Sequence, residues 1–437
     1  MATRQIIEGA VPQVHEVGIR RRMEHGLRVS LFVSLCALLI FGPLAFGIVQ
    51  DWSVVVFEVA TALSLLLWMA WQLASREIRV AWSPLFAPML VFFAIVLTQI
   101  AFRHTAYLYD SLSALWLYIA YGILLFVAVQ VLQPGNGFGF TLLFGKIMAV
   151  FGSVYAVFAV LQGFTSGNIY WLITPRVGSV YGSYVNHNHY AGLMELLLPF
   201  PLVLAFGRST QIWKRLLFGC AAMLMAASVF LCQSRGGMFA VVVETAFLAI
   251  FSMRQFPPRK SAAVFVAFCL VTALLLTWVA PQQVGSRMTN IHDPARWLIH
   301  RDSGRMFWPH PFLGSGLGTF PTVFPHYRTF YDGFFINHAH DDYLELLLDM
   351  GLAGLGVAIW FLVVLYREGR GKGGATKYSP AAFTSKAALT GCTGILAHSF
   401  VDFNLHIPAN AALFYVLCAV ATVPVANTSR SRVILPK

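Results

Sequence analysis

The sequence is poor in charge: Asp, Glu, Lys and Arg make up 11% of its 437 residues, where an ordinary soluble domain carries about a quarter. With 58% apolar side chains and a mean hydropathy of +0.70, that deficit excludes a soluble single domain. The apolar/polar alternation of barrel strands is missing, as are low-complexity tracts, internal repeats and any soluble catalytic domain. Cysteine is scarce as well. Cys36, Cys220, Cys232, Cys269, Cys392 and Cys418 fall in or at the ends of apolar runs, which argues against a disulfide framework or a thiolate metal site. The first 27 residues carry mixed charge and no apolar centre, so they read as a cytoplasmic arm and not as a cleaved signal peptide.

What the chain has instead is apolar runs of about twenty residues from end to end, the length of a membrane-spanning helix. Spans are expected near 30–49, 53–74, 84–103, 111–132, 138–163, 186–206, 214–232, 236–253, 262–280, 341–366, 383–402 and 408–427. In lipid the backbone must be satisfied within each segment, so helices are expected. The predicted fold is an all-α polytopic membrane protein of about 12 transmembrane helices with a long outer loop before the tenth. Its divisions are an N-terminal arm at 1–29, helices 1–9 over 30–280, the outer loop with an interfacial helix at 281–340, helices 10–12 over 341–427, and a tail at 428–437.

Most of the 30 Lys and Arg residues fall in the arm, the tail and alternate loops, the last including Arg76, Arg79, Lys214, Arg215, Arg367 and Arg370. Short basic loops stay in the cytoplasm, which places both termini there. The net charge of +12 follows from this bias and requires no nucleic acid.

On the outer side, Gln233-Ser234-Arg235-Gly236-Gly237 forms a tight turn between the seventh and eighth spans. Arg235 there reads either as an arginine snorkelling at a helix end or as part of an anion site, with flanking glycines that admit a ligand and helix N–H groups that favour phosphate. Arg296 opens an interleaved basic and apolar stretch to Trp308, expected as an amphipathic interfacial helix. The Gly314-Ser315-Gly316-Leu317-Gly318 string follows no strand and reads as a turn folding the loop back, not as a nucleotide loop.

Two His-X-His pairs stand on the same side, His187 and His189 after Asn186, and His338 and His340 before Asp341 and Asp342. Together they suggest a metal site, although neither pair has helical i, i+4 spacing. They also suit a general base oriented by a carboxylate, or hydrogen-bonded interfacial histidines. Intramembrane acids include Glu58, Glu195, Glu244, Glu345, Asp349 and Asp402. Glu195 can bind acceptor hydroxyls in a wet cavity or pair with Lys146 or a neighbouring helix. Trp171, Tyr181, Tyr184 and Tyr190 are expected in the interfacial aromatic belt rather than as sugar-stacking platforms.

The long outer loop, the arginine turn, Arg296 before Pro311-Phe312-Leu313-Gly314-Ser315-Gly316, and the run from His340 through Asp341-Asp342-Tyr343-Leu344-Glu345 to Gly354 resemble the O-antigen ligase and polymerase superfamily of bacterial envelope glycosyltransferases. The resemblance implies an undecaprenyl-diphosphate-linked glycan as donor, a glycan or lipid A-core acceptor, and transfer on the periplasmic face of the inner membrane. It implies that Arg235 and Arg296 hold the diphosphate and that His340 activates the acceptor hydroxyl. Asn186, His187, His189, His338, Asp341, Asp342 and Glu195 then stand as acceptor-binding or supporting residues.

Asp341 replaces the asparagine common at that position, where it can raise the basicity of His340 or disturb acceptor binding. The stretch from Asp402 to Asn410 resembles a C-terminal signature of exopolysaccharide-type members and leans toward polymerisation. Two arginines near lipid can stabilise a departing diphosphate electrostatically, so neither metal nor cofactor is expected and the displacement inverts the anomeric centre. The rival expectation is a transporter or flippase of lipid-linked sugars. Against it, no pair of broken helices appears in matching halves, and the polar groups gather at one face.

Overall fold

The computed structural model describes residues 2–133, 139–175, 178–206, 211–253, 294–331, 333–370 and 380–424. Their helices are α1 (Ala2–Leu44), α2 (Asp51–Ser75), α3 (Phe86–Ala101), α4 (Leu108–Leu132), α5 (Phe140–Thr165), α6 (His187–Leu197), α7 (Pro199–Phe206), α8 (Ile212–Leu231), α9 (Arg235–Met253), α10 (Pro294–Phe307), α11 (Phe320–Val323), α12 (Asp342–Arg370), α13 (Pro380–His398) and α14 (Pro408–Thr422). Among the described residues there is no strand beyond isolated bridges such as Tyr181 with Tyr184.

Helices occupy the expected positions along the described chain, but seven segments are long and apolar enough to cross a membrane: Gly18–Leu44, Asp51–Ser75, Leu108–Leu132, Phe140–Thr165, His187–Phe206, Ile212–Leu231 and Asp342–Arg370. α3 and α14 are apolar but only 16 and 15 residues long. The expected ninth span, 262–280, and the first part of the outer loop, with Arg287 and His292, lie outside the described residues, as does the tail.

Burial sorts the helices into a centre and a lipid-facing rim. α14 is buried along its whole length, and so is α6 from His189 onward, as expected of helices apolar on every side. α2 instead exposes Val55, Val59, Leu63, Leu66 and Leu73. Small residues allow the central helices to touch: a Cβ on Gly391 would lie 2.9 Å from the Leu196 carbonyl oxygen, and one on Gly192 would lie 2.4 Å from Asn404 Oδ1.

Two expected spans are interrupted. The sixth breaks at Leu198, between α6 and α7, where Pro199 and Pro201 remove helical donors. α12 breaks at Gly351, whose φ of 64° and ψ of −164° are glycine conformations. The gap is filled by the Pro311–Gly316 segment. Leu352 and Ala353 donate to the Pro311 and Phe312 carbonyls at 2.9 and 3.0 Å, while Ser315 and Gly316 donate to the Leu348 and Asp349 carbonyls at 2.9 and 3.0 Å. The glycine-rich string does turn the loop back, and it also satisfies a broken helix, as non-helical backbone at membrane depth requires. Gln99 of α3 completes the joint by donating to the Leu313 and Asp349 carbonyls.

The amphipathic stretch from Arg296 is helix α10, with Trp297 on it and Trp308 just past its end both exposed. Its buried Asp302 accepts from the Thr329 N–H and hydroxyl at 2.7 and 2.8 Å, tying the helix to the returning loop. The aromatic-belt expectation fails for three tyrosines. Tyr181, Tyr184 and Tyr190 are core residues, with Tyr184 donating to Asn410 Oδ1 at 2.9 Å and Tyr190 to Ser228 Oγ at 2.7 Å. Trp171 alone of the four is exposed.

Candidate active site

Four segments converge on the short turn Ser399–Phe403, the first part of the link between α13 and α14. From the outer loop, His340 presents Nδ1 at 3.4 Å to Oδ1 of Asp402. From α10, Arg296 donates through Nη1 to the Val401 carbonyl at 2.6 Å and places Nη2 4.0 Å from Asp402 Oδ2. From the start of α6, Asn188 donates to the same carboxylate. The fourth segment is the start of α9. A Cβ on Gly236 would come within 2.3 Å of His398 Nε2 and 3.0 Å of Val401 Cγ2, and one on Gly237 within 2.6 Å of Ala191 Cβ.

The two glycines therefore admit neighbouring helices, and they bring the exposed Arg235 alongside this turn. Ser234 Oγ accepts the Gly237 N–H at 3.1 Å, fixing where α9 begins.

Asp402 is the electrostatic centre. Its side chain is 1% exposed, and the Phe403 N–H donates to Oδ1 at 2.9 Å. Burial alone would push the carboxyl up. The His340 hydrogen bond and the charges of His398 and Arg296 outweigh it and hold Asp402 well below the usual carboxylate range. An ionised Asp402 draws the His340 proton to Nδ1 and leaves Nε2 as the basic nitrogen. His340 itself is held at φ +58°, a left-handed conformation that a non-glycine residue adopts at a cost and that is common at functional sites.

Phe403 gathers the histidines. His338 stacks on its ring at 4.3 Å, while His189 and His340 meet it edge-on at 4.8 and 4.9 Å. His189 is buried, and its carbonyl accepts Asn410 Nδ2 at 3.0 Å. Asn186 caps α6 by accepting the Asn188 N–H at 2.9 Å. The His187 carbonyl accepts from Cys232 Sγ at 3.6 Å. These three therefore support the architecture of the α6 entry.

A second cluster lies behind the first. His338 Nδ1 is 2.9 Å from Glu345 Oε1, and His406 sits between two acids, with Nδ1 2.6 Å from Asp342 Oδ1 and Nε2 3.3 Å from Glu345 Oε1. Glu345 also accepts the Ala339 N–H at 2.8 Å, and Asp342 accepts the Ser399 hydroxyl at 2.6 Å. His338, Glu345 and His406 offer ligand atoms within 4.8 Å of one another and are the group among the described residues that could hold a metal. The expected pairing of His187 and His189 with His338 and His340 does not form that group.

A carboxylate at each ring nitrogen makes His406 an imidazolium. Burial lowers its pKa, but Glu345 and Asp342 raise it to about 10, so the charge a cation would supply is already present.

Asp341 caps the helix that follows it. Its Oδ1 accepts the Tyr343 and Leu344 N–H groups at 3.0 Å each, the work of a helix N-cap, which asparagine performs equally well. Burial pushes its carboxyl up. Glu195 is fully buried and pairs with His398 at 2.8 Å, a neighbouring-helix partner and not Lys146, so it is a packing ion pair beneath the Ser399–Phe403 turn. Asp402, His398 and His406 had little sequence signal as site residues; Asp402 and His406 lie within the Asp402–Asn410 stretch, whose resemblance was the available pointer.

Residues 220–359 match the family model described as O-antigen ligase. The matched segment runs from α8 into α12 and holds Arg235, Arg296, His338 and His340. No curated protein matches the chain. The family match bears out the resemblance to the O-antigen ligase and polymerase superfamily. With the seven apolar helices, it supports a multi-pass membrane enzyme of glycosyl transfer.

Proposed function

We propose that the protein is an inner-membrane glycosyltransferase that moves a glycan from an undecaprenyl-diphosphate-linked donor to an acceptor hydroxyl on the periplasmic face, as O-antigen ligase or polysaccharide polymerase, with both termini cytoplasmic. The observation that carries this reading is the joint anchoring of Arg296 and His340 on consecutive residues, Val401 and Asp402. A charge-stabilising group and a base thereby share one small scaffold.

In this mechanism Asp402 accepts the Nδ1–H of His340, and Nε2 takes the proton of the acceptor hydroxyl as its oxygen attacks the anomeric carbon. The anomeric C–O bond to the diphosphate breaks on the opposite face, inverting that centre, and the bonding pair leaves on the diphosphate oxygen. Arg235 and Arg296 hold the developing negative charge. The proton on His340 then passes to solvent or to the departed diphosphate. No metal enters the scheme.

The test is incubation of purified protein with lipid-linked glycan and candidate acceptors, comparing wild type with His340→Ala, Arg235→Ala and Arg296→Ala. A ladder of repeats identifies a polymerase and single capping of lipid A-core a ligase. Full activity in all three variants would refute the reading.

The broken helix α12 favours a second reading, a transporter of lipid-linked sugars, since discontinuous helices build transport sites. Here the gap is closed by the Pro311–Gly316 backbone. Equilibration of a labelled glycolipid across vesicles without glycosidic bond formation would support transport instead.

A further inference from the structure

α1 ends beside the candidate active face, where its Pro43 and Leu44 carbonyls accept from Ser183 and Tyr170 of the outer segment. Its N-terminal half therefore lies toward the opposite end of the bundle. There α1, the C-terminal ends of α2 and α4, and the Glu77–Ala81 segment line a half-open polar cavity of about 670 Å³.

The walls are built, not merely apposed. Buried Gln130 accepts the Ala81 N–H at 2.7 Å and donates to the Ala81 carbonyl at 2.9 Å, and buried Gln72 accepts the Arg79 N–H at 2.9 Å. These bonds hold the Arg79–Ala81 backbone against the helix ends.

The lining carries three guanidinium groups, Arg20, Arg28 and Arg79, against two carboxylates, Glu24 and Glu77, an excess of one positive charge. Arg20 and Arg79 pair with Glu24 and Glu77 at the exposed rim. Arg28 lies deeper. It donates to the Val131 and Gln133 carbonyls at 2.8 and 2.6 Å, with its guanidinium 5.2 Å from the Phe140 ring and 5.8 Å from Trp71. Forked donors and a positive excess in a partly apolar recess suit a phosphate oxygen cluster. Of the lining residues Ile78 and Val80 are exposed, and so are Leu73 and Trp82, the chain neighbours of Gln72 and Ala81, an apolar and aromatic set of the kind that sits at the headgroup level of a bilayer.

We propose that this cavity is a binding site for a phosphate-bearing anion at the membrane face opposite the candidate active site, its occupant being the headgroup of an anionic phospholipid. The arginines meet the phosphate and the exposed rim meets the first methylenes of the acyl chains. A free phosphate shares the first contact but not the second, so the two sources separate experimentally. The proposal does not depend on the glycosyltransferase reading.

Full-length protein in detergent is titrated with phosphatidylglycerol, with phosphatidylcholine and, separately, with inorganic phosphate. Bound lipid is counted by native mass spectrometry and phosphate binding is measured by calorimetry. Selective retention of phosphatidylglycerol is expected, weakened about fivefold for each rim arginine removed in Arg20→Gln and Arg79→Gln. Inorganic phosphate binding with the same dependence on the arginines would keep the anion site and replace its source. Equal retention of the two lipids without phosphate binding, or binding unaffected by both substitutions, would overturn the proposal. Arg28→Lys, which keeps the charge and loses the fork, serves as the conservative check on the deeper contact.

Discussion

His340 and Asp402 are 62 residues apart in the chain, yet Nδ1 of one faces Oδ1 of the other at 3.4 Å. The contact joins the last residues of the outer loop to the turn between α13 and α14. The same carboxylate also faces Arg296.

If Asp402 orients the base, Asp402→Asn lowers transfer while leaving donor binding near wild type. His340→Ala is expected to cost about 10²- to 10⁴-fold in rate, the usual contribution of a general base, and Asp402→Asn at least about tenfold. Initial rates with lipid-linked donor, alongside circular dichroism for helicity, measure both. A wild-type rate in Asp402→Asn removes Asp402 from the mechanism.

Arg296→Lys keeps a positive charge but loses the planar fork that reaches the Val401 carbonyl and the Asp402 carboxylate together. A loss of about tenfold or more in kcat is expected, because lysine does not reproduce the arrangement. Single-turnover kinetics with saturating donor will show whether the loss lies in the chemical step.

His406 sets a pH dependence of stability. Its folded pKa is raised from 6.5 to about 10, so its contribution is fully present below about pH 6.5 and is lost as pH rises through about 10. The thermal midpoint should therefore fall from neutral pH toward pH 10, and His406→Gln should flatten that slope. Scanning fluorimetry across the range decides it; an unchanged slope in the variant means that the imidazolium does not hold Asp342 and Glu345 together.

The joint in α12 predicts a steep cost for side chains at its glycines. A Cβ at Gly351 would lie 2.3 Å from the Phe312 carbonyl carbon, and one at Gly314 would lie 2.3 Å from the Asp349 carbonyl carbon. Both residues also have positive φ. Gly351→Ala and Gly314→Ala should each destabilise by about 1–3 kcal/mol or more. Gly356→Ala, with nothing within 4 Å, should leave the thermal midpoint close to wild type or slightly higher.

Transfer activity should survive excess chelator, since His406, one of the three side chains that could hold a metal, already carries positive charge beside Glu345 and Asp342. Loss of activity in chelator, restored by added divalent metal, would instead assign a catalytic ion to His338, Glu345 and His406.

Much of the helical layout was legible because an apolar run is a local property and lipid leaves the backbone few alternatives. The gathering of Arg296, His338 and His340 near one face was legible for the same reason: polar groups left over from the runs had to lie at their ends. The roles of individual residues were less accessible. Asp341 reads in sequence as a modifier of the histidine beside it and is a helix cap. Gly236 and Gly237 read as room for a ligand and are packed on α13 and α6. Tyr184 and Tyr190 read as interfacial and are buried.

By itself the sequence determined that the chain is rich in membrane-length apolar helices, roughly where they run, and that His338, His340 and Arg296 fall at their ends, because hydropathy and charge act along the chain. Only the tertiary structure decided that Asp402 faces His340, that His406 bridges Asp342 and Glu345, and that the Pro311–Gly316 backbone completes α12. Each of these joins residues tens of positions apart, through hydrogen bonds that no local pattern encodes.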